Sequence, residues 1–303
     1  MRRWARYLAA KRPLDDRSLN AGVWQALVEG LRPLRGASPL RVVEVGAGLG
    51  TMIERLLERS ALGDADYTAI DASPALPERA AARLEAWAAA RGAGWQRRAE
   101  DEWRIRTASG SMSVRWIVAS LFDDLSLEPF DLVLAHAFLD LVDLDRALPR
   151  LAGILRPGGL LYASLNFDGM TVFLPELEAE ADTAIVDAYH ASMDARRDGP
   201  HPAGGSRTGR RLLTALPRLG FDVVAAGASD WIVLPRGGAY PGDEAFFLEM
   251  ILDMVERSVG ASGAVEEGRL SRWLEVRRRQ VARGELVFLA HQVDVLARRA
   301  ATR

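Results

Sequence analysis

Residues 42–52 read Val42-Val43-Glu44-Val45-Gly46-Ala47-Gly48-Leu49-Gly50-Thr51-Met52, an apolar run that passes through a glycine-rich turn into an amphipathic stretch. β-Branched residues favour the strand. The glycines allow a tight turn and let a ligand lie against the backbone with no Cβ in the way. The spacing predicts a helix over Thr51 to Arg59, so strand, turn and helix follow in the order that opens a βαβ unit. Asp71 closes the next apolar run about 20 residues further on, where a carboxylate can accept hydrogen bonds from both hydroxyls of a ribose. A dinucleotide fingerprint of the G-x-G-x-x-G form would need glycine at Thr51, so no pyrophosphate anchor is expected.

Outward from this turn, short apolar runs alternate with amphipathic stretches, the pattern of a parallel sheet with helices on both faces. The strands expected are Arg41 to Val45, Asp66 to Asp71, Val114 to Ala119, Phe130 to Ala135, Gly159 to Asn166 and Asp222 to Ala226. Helices fit between them at Thr51 to Arg59, Pro77 to Arg91 and Asp145 to Leu155. Asp131-Leu132-Val133-Leu134-Ala135 is apolar on both faces, as a strand buried on both sides must be. Residues 1–35 read as helical, with Leu19, Val23, Leu27 and Leu31 on one face, until Pro33, Gly36 and Pro39 end the region. Two segments break the rhythm: residues 168–205, with a helical stretch at Pro175 to Arg197 and a glycine- and proline-rich loop, and residues 236–284, with helices at Asp243 to Val259 and Val265 to Arg283.

The chain has 303 residues, a formal net charge of −2 and no cysteine. Without cysteine there is no disulfide framework, thiolate metal site or cysteine nucleophile. The near balance of charge argues against a protein that lives on nucleic-acid phosphates or anionic lipid. No apolar run reaches the roughly 20 residues of a membrane span, and charges interrupt the start before a signal-peptide core can form; a cytoplasmic location is the expectation. Lys11 is the only lysine, and arginine usage of this kind reads as base-composition bias.

Glu44-Val45-Gly46-Ala47-Gly48-Leu49-Gly50 resembles the E-x-G-x-G-x-G motif of class I S-adenosylmethionine (SAM)-dependent methyltransferases. The family's later motifs follow in order. Ala69-Ile70-Asp71-Ala72-Ser73 is similar to its acidic second-strand end, Ala119-Ser120-Leu121-Phe122-Asp123 to the segment flanking adenine, and Phe130 to His136 to its fourth strand. Leu155-Arg156-Pro157-Gly158-Gly159-Leu160-Leu161 matches the L-x-P-G-G turn before the fifth. The resemblance covers about residues 41 to 235, and the ordered set is more specific than any one motif. It implies an α/β fold with a seven-stranded Rossmann-like sheet, mostly parallel with the last strand antiparallel, SAM as cofactor and S-adenosylhomocysteine as product. It also implies roles. Glu44, Gly46, Ala47, Gly48 and Gly50 form the cofactor turn, with Gly46, Ala47 and Gly48 beside the methionine part. Asp71, followed by Ala72, holds the ribose. Ser120 and Leu121 flank the adenine, with Phe122 or Asp123 near it, and Arg17 stands where related enzymes often place a residue near the SAM carboxylate. One departure is that the aspartate often found beside adenine N6 is replaced by Ser120 or Leu121.

The chain divides on this reading into an amino-terminal helical cap (1–36), a core (37–167), a cap insertion (168–205), further core (206–235), a second helical insertion (236–284) and a last strand with tail (285–303). Both insertions leave the carboxyl ends of strands, where open α/β sheets bind ligands. They are therefore expected to roof a site for a small substrate, the alternative being a dimer interface or simple padding. Candidate catalytic groups follow strands four and five: His136 as a general base, with Asp140 four residues on fixing its tautomer, and Asp168. His136 reads equally as a structural hydrogen-bonding residue, and Asn166-Phe167-Asp168-Gly169 as a turn. His190, His201, Asp230 and His291 are weaker candidates, and Tyr189, Trp231, Tyr240, Phe246, Phe247 and Trp273 could line a pocket or simply pack. No metal is expected. The function expected is methyl transfer to an oxygen or nitrogen of a small metabolite. The rivals are a macromolecular acceptor, aminopropyl transfer on the same fold, and a non-catalytic SAM-binding homologue.

Overall fold

The computed structural model describes residues 2–36 and 38–301; residues 1, 37, 302 and 303, which fall in the expected amino-terminal cap, core and tail, lie outside the described residues. Three helices come first: α1 (Arg2–Ala10), α2 (Arg12–Ser18) and α3 (Ala21–Leu31), the last starting where the Asn20 side chain accepts the Val23 N–H at 3.0 Å. There follow β1 (Leu40–Val45), α4 (Thr51–Glu58), β2 (Ala65–Asp71), α5 (Pro77–Ala90), β3 (Gly94–Arg97), β4 (Glu102–Thr107), β5 (Gly110–Val118), β6 (Phe130–His136), α6 (Leu144–Ile154) and β7 (Leu155–Leu174). The chain ends with α7 (Ala179–Asp194), the small hairpin β8 (Arg197–Asp198) and β9 (His201–Pro202), α8 (Thr208–Arg218), β10 (Phe221–Ala228), β11 (Trp231–Val233), α9 (Glu244–Ser262), α10 (Glu267–Arg283) and β12 (Val287–Arg299).

The main sheet runs β10-β12-β7-β6-β1-β2-β5-β4-β3, with β11 added on β12. Pairs from β5 across to β7 are parallel, while β12 lies antiparallel between β7 and β10. This is the expected mostly parallel sheet with its last strand antiparallel, enlarged from seven strands to ten. The strands added at one edge are β3 and β4; in β4 buried Trp103 and Ile105 alternate with Arg104 and Arg106, and Trp95, Trp103 and Trp116 pack in a row at 5.9 and 5.7 Å. That period-2 signal is short and charged, and no strand was expected there.

Helices α3, α4 and α5 cover one face of the sheet and α6 and α8 the other. A separate apolar cluster forms where β7 and β12 run past the rest of the sheet: Phe167 and Phe173 meet Phe288 and Ala290, with Tyr7 of α1, Ile185 of α7 and Phe247 of α9 packed above. Here the strand-five reading needs correction. Asp168-Gly169 is not a turn that ends the strand, because β7 continues to Leu174 in register with Val287. Leu165 at φ 54 and Gly169 at φ 80 absorb the irregularity instead, as residues in a bulge do. The extended strand pair is the floor on which both insertions pack.

Candidate active site

In the sheet β1 stands between β2 and β6, where the chain's path across the strands reverses. The carboxyl ends of these strands open a crevice at such a point. The turn after β1 fills it with backbone. Gly46 and Gly48 have φ of 69 and 59, and the Gly46 and Ala47 N–H groups donate to the Ile70 carbonyl at 2.9 and 3.1 Å, tying the turn to β2. A Cβ on Gly46 would come within 2.3 Å of Phe138, whereas one on Gly48 would meet nothing nearer than Leu8 at 3.8 Å, so Gly48 presents bare backbone to open space. Gly50 has φ 71 and caps α4, but it packs toward Leu84 and Ile53 rather than lining the pocket.

Asp71 accepts the Gly48 N–H on Oδ2 and the Ser73 N–H on Oδ1, both at 2.9 Å. These bonds fix the carboxylate between the ends of β1 and β2, and each oxygen keeps a lone pair for a further donor. The pocket above has a volume of about 340 Å³ and is lined by Gly46, Ala47, Gly48, Asp71 and Ala72, by Ser120, Leu121 and Phe122 on the far side, and by Trp4, Leu8 and Lys11 from the amino-terminal helices. Asp123 is not among the lining residues, since its carboxylate accepts the Ser120 N–H at 2.8 Å.

Glu44 lies at the floor, 2% exposed, and accepts the Tyr67 hydroxyl at 2.6 Å. Burial pushes its carboxyl up to about 8, against the pull of the Tyr67 hydroxyl and the Arg55 cation. The folded protein thus holds this proton more tightly than the unfolded chain does. Its contribution to stability is complete below pH 4.5 and is lost as the pH rises through about 8. Urea unfolding of the ligand-free protein should show stability falling across that window by up to about 4 kcal/mol, and Glu44→Gln should flatten the fall; an equal slope in both proteins would contradict it.

Beneath the pocket is a buried charge network. Asp15 is paired with Lys11 at 2.5 Å and with Arg55 at 3.6 Å, and accepts the Trp231 indole N–H at 3.0 Å. Although burial pushes it upward, Lys11 and Arg55 hold Asp15 well below the usual carboxylate range. Arg55, fully buried, also bonds Asp16. Removing one member strands its partners' charges. Arg55→Met should therefore cost about 3–5 kcal/mol in unfolding free energy, and a loss below about 1 kcal/mol would contradict the network.

The expected His136–Asp140 pair is not formed. His136 Nδ1 lies 2.8 Å from Ser164 Oγ and Nε2 lies 3.0 Å from Arg55 Nη1. Arginine can only donate, so Nε2 accepts, Nδ1 carries the proton and Ser164 receives it. Burial and the Arg55 cation push His136 down to about 3. It is a neutral link in the network with both nitrogens engaged, which is the structural alternative. Asp168 is also corrected: its carboxylate is gripped by Arg210 Nε at 2.9 and 3.0 Å and caps the Arg210 N–H at 2.9 Å, anchoring α8 away from the pocket. Arg17 is engaged elsewhere as well, with Glu244 at 2.5 Å and the Ile232 carbonyl at 3.1 Å. The basic side chain that lines this pocket is instead Lys11, its Nζ paired with Asp15.

A second pocket, about 180 Å³, adjoins the first; Trp4, Leu8, Lys11, Ala137 and Leu141 line both. Its walls come from α1, the end of β7, α7, α9 and β12, so the amino-terminal helices and both insertions contribute. Asp140 faces this pocket with Oδ1 buried and unpartnered, and burial raises its carboxyl to about 6. Tyr189 and Trp231 line it. Tyr240, Phe246, Phe247 and Trp273 do not, and Phe247 packs behind Tyr7 at 5.7 Å between ring centres. His190 bonds Thr171 at 2.9 Å, and His291 bonds Asp230 at 2.7 Å; neither these residues' rings nor His201 enter either pocket. Sequence reasoning missed Tyr7, Arg196 and Gln292, which reach the second pocket only through tertiary packing.

A mostly parallel α/β sheet with a glycine turn at its switch point and an acidic residue at the next strand end is a Rossmann-like arrangement. Residues 43–161 match the family model described as a methyltransferase domain. No protein of curated function matches the chain. Among solved structures it is similar to a protein from Anaeromyxobacter dehalogenans described as a candidate type II methyltransferase, at 16% identity over 94% of this chain and 98% of that one, with a TM-score of 0.50. It is also similar to YjhP from E. coli (18% identity, 93% and 94% covered, TM-score 0.45). A third is a geranyl diphosphate C-methyltransferase from Streptomyces coelicolor A3(2), solved with Mg2+, geranyl diphosphate and S-adenosylhomocysteine (12% identity, 91% and 78% covered, TM-score 0.44). At these identities the likeness is one of fold.

Proposed function

We propose that the protein moves the methyl group of SAM to an oxygen or nitrogen of a small metabolite, with the cofactor in the first pocket and the acceptor in the second. The observation that carries the reading is the junction: two pockets sharing five lining residues, with one carboxylate oxygen, Asp140 Oδ1, left without a hydrogen-bond partner among the described residues in the second. Bound SAM supplies an electrophilic methyl group on sulfur and is left as S-adenosylhomocysteine once that group is taken.

The residues fit such a cofactor. The bare backbone at Gly48 leaves room for the amino-acid part, the locked Asp71 offers two acceptors to a ribose, and Ala72, Leu121 and Phe122 give an apolar slot for a base. Lys11, rather than Arg17, is the cation placed for the carboxylate. Asp140 takes the proton from the acceptor O–H or N–H, and the enclosed second pocket holds the acceptor in one orientation and sheds water. Its small volume suits a small molecule rather than a polymer surface.

The protein incubated with methyl-labelled SAM and a cell extract fractionated by size should place label in the low-molecular-mass fraction. Label confined to protein or nucleic acid would overturn the small-metabolite reading, and label in neither fraction would favour a non-catalytic homologue.

A further inference from the structure

The second pocket is mainly apolar, but the polar groups that break its wall are unevenly matched. Gln292, 2% exposed on β12, leaves its side-chain Nε2 buried without a hydrogen-bond partner among the described residues. Arg196, just past the end of α7, faces the same pocket and has no carboxylate within 4.0 Å among the described residues. Tyr7 and Tyr189 line it too, and burial raises both phenols, so each keeps its proton and can donate. Lys11, which also lines the first pocket, is paired with Asp15 at 2.5 Å. Against these donors stands one carboxylate, Asp140.

An unsatisfied buried donor is costly, and an unpaired guanidinium beside apolar walls calls for an anion. A guanidinium presents two parallel N–H groups that match a carboxylate. A single such cation, with no glycine-rich nest beside it, suits a planar monoanion better than a phosphate.

We propose that the acceptor is a small, mainly apolar molecule carrying a carboxylate, held by Arg196 with the Gln292 amide, while its nucleophilic O–H or N–H faces Asp140. The proposal rests on the reading of this pocket as the acceptor site. The carboxylate orients the molecule and takes no part in the transfer.

Calorimetric binding in saturating S-adenosylhomocysteine tests it with two matched probe sets: para-hydroxybenzoate, its neutral amide and tyramine; and hexanoate, hexanamide and hexylamine. At least one carboxylate should bind at millimolar concentration or better, about tenfold or more tighter than its amide, with the amine weakest. Arg196→Gln should abolish the preference, Gln292→Leu should reduce it several-fold, and the S-adenosylhomocysteine affinity should stay unchanged in both. Amides or amines binding as well as the acids, no binding by either acid, or a preference that survives Arg196→Gln would overturn the proposal. Failure of S-adenosylhomocysteine itself to bind the wild-type protein would instead overturn the cofactor reading beneath it.

Discussion

Gly48→Val should abolish measurable SAM binding while leaving a folded protein. Two effects act there and they separate. Gly48 sits at φ 59, so any side chain costs about 1–2 kcal/mol of backbone strain, but that cost falls on the free and bound protein alike and shows in stability. Binding is lost for a different reason: the nearest atom to a Cβ at this position is Leu8 at 3.8 Å, so the branches of valine project into the cavity. Gly48→Ala provides the control. It carries a comparable strain, its single methyl group finds room, and it should keep far more affinity than the valine variant. Equal affinity in Gly48→Val and wild type, by calorimetry with SAM or S-adenosylhomocysteine, would show that the glycine turn is not the cofactor site.

Asp140→Asn should lower turnover about 10²- to 10⁴-fold, the range for loss of a positioned proton acceptor, with S-adenosylhomocysteine affinity unchanged. Asn keeps the shape and removes the charge. The pH profile gives a sharper readout. Burial raises Asp140 to about 6 against its own backbone N–H, Arg196 and Lys11, and Tyr7 and Tyr189 are the other titratable groups on the walls around it. The wild-type rate should therefore climb about tenfold per pH unit below pH 6 and level off above it, whereas the variant should lack that limb. A variant rate within about twofold of wild type would remove Asp140 from the chemistry. His136, pushed down to about 3 with both ring nitrogens occupied, cannot supply such a limb.

The fold was legible because its signals are local. A strand, a glycine turn and a helix follow one another within residues 40–58, and the same grammar repeats to β7, so the core strands could be marked along the chain in advance. Glu44, Gly46, Gly48 and Asp71 were legible for the same reason, since their positions at strand ends place them in one crevice. Failures came where a long-range partner decides. Arg17 looked free to reach a ligand until Glu244, far along the chain, was folded against it. Asp168-Gly169 reads as a turn from its neighbours alone, but β12 supplies a strand to pair with and the turn signal becomes a bulge. Asp140 four residues after His136 suggested a pair, yet the irregular chain between them turns Asp140 toward the second pocket and leaves His136 to Ser164 and Arg55. Lys11 is the instructive case. As the only lysine it was visible in composition and read as bias, and it lies at the junction of the two pockets.

The most direct measurement of the two-pocket account is a crystal structure of the complex with S-adenosylhomocysteine. The account predicts the ribose on Asp71, the base between Ala72 and Phe122, the amino-acid part against Gly46 to Gly48 with its carboxylate at Lys11, and the pocket between Asp140 and Arg196 left free. Ligand density in that second pocket, or a ligand whose ribose makes no contact with Asp71, would contradict it.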